Sequence, residues 1–209
     1  MKTLFVLLPL ILSACSTFEI SRYSVSEYNN KAIVSKGIRD INIGSFTGYA
    51  FFNAGCKFEG PVAAADDMTF STYIRRAFIA EFIKAHAFNS SSPTTITGRV
   101  NTLKFTPSTV DTTGSWDIAI TLYSSNGRKQ SFIEHYVFPS DTNSATACTK
   151  TANAFISAMQ NLIAKTIDAP DSMFLVDNNP EKRDLVLADA NSKLFPHQFF
   201  PATENNENH

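Results

Sequence analysis

Two stretches of this chain repeat their apolar residues at helical spacing, and the stretches between them alternate. Phe70, Ile74, Ala77, Phe78 and Phe82 fall on one face, widened by Tyr73, Ile79 and Ile83, with Arg75, Arg76 and Lys84 away from it. Asp66 and Asp67 stand where a helix N-terminus favours a cap and negative charge, and Asn89-Ser90-Ser91-Ser92-Pro93 ends the run. A second stripe runs through Cys148, Ala152, Phe155, Ile156, Met159, Leu162, Ile163 and Ile167. It follows a cap at Ser140 or Asp141 and stops at Pro170. Both patterns predict helices laid on a sheet.

The alternating segments supply that sheet. Ile38 to Phe46 reads as a first strand, with Ile41 and Ile43 set against Asn42 and Gly44. Gly44 to Pro61, rich in glycine and aromatic residues, reads as an ordered loop. Ile96, Gly98 and Val100 alternate, and Leu103 and Phe105 continue out of phase, which predicts a bulge near Asn101–Thr102. Trp116, Ile118, Ile120 and Leu122 alternate strictly, and Asn126-Gly127 is the preferred pair of a type I′ hairpin turn. The returning strand, Arg128 to Phe138, has Phe132, Tyr136 and Phe138 on one face and Ile133, His135 and Val137 on the other. Apolar residues on both faces predict either a central strand or a partner surface. The element order is β-α-β-β-β-α, an α+β fold. It implies an antiparallel sheet of about four strands with two helices on one face and the other face open.

This folded body spans residues 32–170. Residues 171–209 form a C-terminal extension, with a short strand over Met173–Val176 and a disordered end from Ala202. Within it, Leu194-Phe195-Pro196-His197-Gln198-Phe199-Phe200-Pro201 either packs on the domain or docks a partner. Residues 16–31 are polar and read as an irregular tether.

The first fifteen residues carry the most specific signal. Lys2 precedes the apolar run Leu4 to Leu12, about half the ~20 residues needed to span a bilayer. The run ends in Leu12-Ser13-Ala14-Cys15, which resembles the lipobox of bacterial lipoproteins. The resemblance implies a signal peptide over residues 1–14, a diacylglyceryl thioether on Cys15, cleavage after Ala14 and acylation of the new amine. Residues 15–31 then become a lipidated tether. Two or three chains make a stable anchor where one holds weakly, at about 0.8 kcal/mol per buried methylene. By the same resemblance, Ser16 directs the protein to the outer membrane, facing the periplasm. The alternative is an ordinary secretory signal in which Cys15 is incidental.

With Cys15 lipidated, Cys56 and Cys148 remain. An even pair in an oxidising compartment predicts one disulfide, closing a loop of about ninety residues and worth on the order of 4–5 kcal/mol. The alternative is two separate thiols, with Cys148 acting as a small core residue. No Cys/His spacing fits a redox or zinc site.

A formal net charge of −1 argues against a general nucleic-acid binder, which needs a basic face. Forty-four per cent hydrophobic residues and eighteen Phe argue against disorder over most of the length. Of the four histidines, His86, His135, His197 and His209, none sits in a ligand-spaced cluster. GxSxG, P-loop and GxGxxG are absent, so no catalytic residue, metal or cofactor is implied. Asp66 and Asp67 as paired acids, and Trp116 as a ligand-site residue, each have a simpler structural reading as cap and core.

In element order, residues 38–168 are similar to small lipoproteins that assist envelope assembly or lipid transport. These include the YajG-like lipoproteins, the lipopolysaccharide-assembly partner of the outer-membrane translocon and the auxiliary lipoproteins of ABC lipid transporters. The likeness implies a non-enzymatic binding or assembly role, with the membrane and another envelope protein as partners. A lipid or small-molecule pocket between helices and sheet is the competing expectation.

Overall fold

In chain order the elements are β1 (Phe18–Glu19), α1 (Glu27–Ser35), β2 (Asn42–Thr47), β3 (Gly55–Cys56), β4 (Gly60–Ala63), α2 (Phe70–Lys84), β5 (Thr95–Thr106), β6 (Thr113–Ser124), β7 (Lys129–Pro139) and α3 (Ser144–Asp168). They come from a computed structural model that describes residues 16–48, 52–108, 110 and 112–170. The described residues fall within one compact unit; a second unit, Val176–His209, lies outside them. The expectations placed on 171–209, and on Cys15, concern residues that are not described.

The fold is α+β, with a four-stranded sheet in the order β2-β5-β6-β7 and a three-stranded sheet in the order β1-β4-β3. The three long strands pair antiparallel as their alternation predicts, and Trp116, Ile118, Ile120 and Leu122 of β6 are fully buried. The bulge falls where the phase breaks. Val100 pairs with Ile120 and Leu103 with Ile118, leaving Asn101 and Thr102 to face Ala119 alone. The extra residue lets both Val100 and Leu103 point into the core.

Several expectations are corrected. The sheet is mixed, because β2 runs parallel to β5 and reaches it through α2. Residues 16–31 are not an irregular tether. They carry β1, which pairs parallel with β4, and the start of a third helix. Ser26 caps α1 by accepting from the Asn29 amide, and Gly37, at φ +65°, closes it. There the Gly37 amide donates to Val34 and the Ile38 amide to Ile33, satisfying the last carbonyls. Ile20, Ile33 and Asn29 are fully buried, so this segment belongs to the core.

The caps also move. Thr69 caps α2 and Asn143 caps α3. Asp66 and Asp67 stand at positive φ in and beside a short 3-10 turn, and Asp66 takes a bidentate contact from Arg22 instead. The Arg22 hydrogen bonds hold the Asp66 carboxyl below the usual carboxylate range. The β6–β7 turn is not type I′, because Gly127 is at φ +85° while Asn126 is not at positive φ. The Gly127 amide donates to Ser124, a three-residue loop closed by a left-handed glycine.

α2 covers β2 and β5, and α3 covers β6 and β7, both on the face that holds Trp116. α1 packs against both of these helices. Glu81 of α2 ties it down. One Glu81 carboxyl oxygen accepts from the Tyr23 hydroxyl at 2.5 Å, the Ser26 amide at 2.9 Å and the Asn29 side chain at 3.1 Å. Burial pushes the Tyr23 phenol well above its ordinary range, and Glu81 adds to the rise. A disulfide between Cys56 and Cys148 joins β3 to the first turns of α3, as the cysteine parity predicts.

Candidate binding cleft

The ladder between β2 and β5 ends at Thr47 and Arg99. From Val100 to Thr106, β5 is paired only on its β6 side among the described residues. Backbone donors and acceptors left on such an edge are a template for a further strand. The segment Asn53–Lys57 stands opposite this edge. Between them lies a cleft of about 560 Å³ lined by Asn53, Lys57, Asn101, Leu103, Lys104 and Phe105, among others.

A second cavity of about 440 Å³ adjoins it at Leu103, between α2 and the sheet, and adds Phe52, Phe70 and Val100 to its walls. A cluster of tilted and edge-on aromatic rings forms and backs this floor. Phe52 lies 4.5 Å from Phe70, Phe105 5.0 Å from Trp116, and Trp116 4.7 Å from Phe155, centroid to centroid. Lys57 and Lys104 bring two positive charges, and among the described residues no acidic side chain lines the larger cleft. Its chemistry suits an extended segment that offers backbone hydrogen bonds, an apolar side chain for the floor and a negative charge for the lysines.

The wall opposite β5 is held by two devices. The disulfide fixes Cys56 to α3. Beyond it, the Glu59 amide donates to the Cys56 carbonyl at 2.9 Å, with Lys57 at φ +49° and Phe58 at φ +63°. That is a type I′ turn built from two residues that disfavour it, and it leaves Phe58 wholly exposed. The turn gave no sequence signal, since neither residue is Gly or Asn; only its tight enclosure between Gly55 and Gly60 hints at it.

The face of the large sheet opposite α2 and α3, uncovered among the described residues, is the other candidate surface. Among the described residues β7 has β6 as its one neighbour, so the described sheet does not make it a central strand. Ile133 and Val137 lie 69% and 55% exposed beside His135, whose Nδ1 is 2.6 Å from Asp117.

The remaining sequence candidates resolve as structural groups. Trp116 is core, its indole donating to the Thr151 carbonyl at 2.9 Å. His86 ends α2 at φ +54°, and His197 and His209 are not described. Among the described residues there is no group of three or more His, Cys, Asp or Glu that would hold a metal. No described helix is long and apolar enough to cross a membrane. Compared with known proteins, the chain matches no family model and has no significant match among curated proteins.

Proposed function

We propose that this chain is a lipoprotein anchored through Cys15 to the outer membrane, facing the periplasm, with a non-enzymatic binding or assembly role. The observation that carries the binding role is the half of β5 that has no second partner strand among the described residues, beside an aromatic-floored cleft. The Leu12-Ser13-Ala14-Cys15 motif supports the anchor, and the Cys56–Cys148 disulfide supports an oxidising compartment. The partner is another envelope protein that contributes an extended segment to β5.

In-cell photo-cross-linking tests this, with the reactive side chain at Thr102 or Thr106 and a control at Lys31 on α1. A discrete adduct from the β5 positions alone is expected. Equal adducts from all three positions, or none, contradict strand addition. The cavity between α2 and the sheet supports a second reading, a carrier of lipid or another small molecule. In that case the purified protein retains a ligand detectable by native mass spectrometry.

A further inference from the structure

The geometry points to a second membrane contact beside the anchor: the β3–β4 turn, led by Phe58, sits in the lipid interface of the membrane that holds Cys15. This rests on the acylation of Cys15 proposed above.

The described chain is packed on the folded body from its first residue, Ser16. Ser16, its covalent neighbour, lies so close to Gly60 that a Cβ at position 60 would overlap the Ser16 carbonyl. Two residues later, Phe18 and Glu19 are already paired with Val62 and Ala63. Neighbouring Cα atoms are about 3.8 Å apart, so acyl chains on Cys15 leave the protein next to Gly60. The turn Lys57–Glu59 is the part of the chain that leads directly into Gly60. An anchor placed there holds this end of the small sheet against the bilayer.

The turn suits that position. Phe58 is fully exposed, and it and Lys57 occupy left-handed backbone, a strain that points to a role other than packing. Phe is among the apolar residues that surface-lying segments bury at the boundary between headgroups and acyl chains. Lys57 lines the cleft, so the contact is apolar and does not require anionic lipid. The disulfide at Cys56 and the β1–β4 pairing hold the turn and the anchor in one rigid piece.

The test uses the full mature lipidated protein with Phe58→Trp, in vesicles of phosphatidylcholine. Trp116 is fully buried, so subtraction of the unsubstituted protein isolates the new indole. Its emission is expected to shift to the blue, to be quenched by lipids brominated on their acyl chains and to be shielded from aqueous iodide. Ile133→Trp, on the open sheet face, should stay accessible to iodide. The mass of the tryptic peptide Cys15–Arg22 is read from the same sample. An acylated peptide with iodide-quenched Trp at position 58 overturns this inference and leaves the anchor standing. A peptide without acyl mass overturns both.

Discussion

The carboxyl of Glu81 is the residue on which the N-terminal third of the domain turns. It is fully buried, and one of its oxygens serves three donors from the 23–29 segment while the other has no partner. Glu81→Ala leaves those donors unsatisfied, and we expect a loss of about 3–5 kcal/mol, since each buried donor left without an acceptor costs about 1–3 kcal/mol. Glu81→Gln keeps the accepting oxygen but buries an amide where no bond was made, so a smaller loss of about 1–3 kcal/mol is expected. Urea denaturation of both variants checks the ordering, and equal losses would contradict it. None of this was legible in the sequence, where Glu81 lies on a helical face read by its apolar neighbours. Lys57, Phe58 and His86 were equally silent, because residues other than glycine enter left-handed backbone only when the surrounding fold imposes it. At this scale the sequence reveals residue types and the fold decides their partners.

Elements were legible where their periodicity was long. α2, α3 and β5 to β7 follow from apolar spacing, and the β5 bulge follows from a single break in phase. α1 escaped because its nine residues bury only Asn29 and Ile33, one of them polar, so no stripe exists to read. Its capping signals, Ser26 and Gly37, were present; they lay inside a segment whose polarity suggested a tether. The two-residue strands of the small sheet are too short to show alternation at all. Their place is set by the disulfide across 92 positions and by β1 returning to β4. Replacing Cys56 and Cys148 together by Ser should cost on the order of 4–5 kcal/mol, as expected for a loop of that length. It should also weaken cross-linking from Thr102 and Thr106, since the facing wall of the cleft loses its attachment to α3. A change below about 1 kcal/mol in denaturant melts would show that the bridge does not constrain the unfolded chain.

For the molecule as a whole, the lipobox and the fold bear on one another. A lipid anchor followed by a loose tether would let the domain range away from the bilayer. If Cys15 is acylated as proposed, β1, which begins at Phe18, sets the orientation of the domain, with the small sheet toward the membrane. The candidate cleft was only partly legible: the phase break located the bulge of β5, while its edge, free among the described residues, depends on where β2 stops. The central claim, that Cys15 begins the mature protein and carries its anchor, is tested most directly by the intact mass of the chain extracted from membranes. The account predicts a protein that starts at Cys15 and is heavier than residues 15–209 by a diacylglyceryl group and an amide-linked acyl chain. A chain that starts elsewhere, or that has the bare mass of its residues, would contradict it.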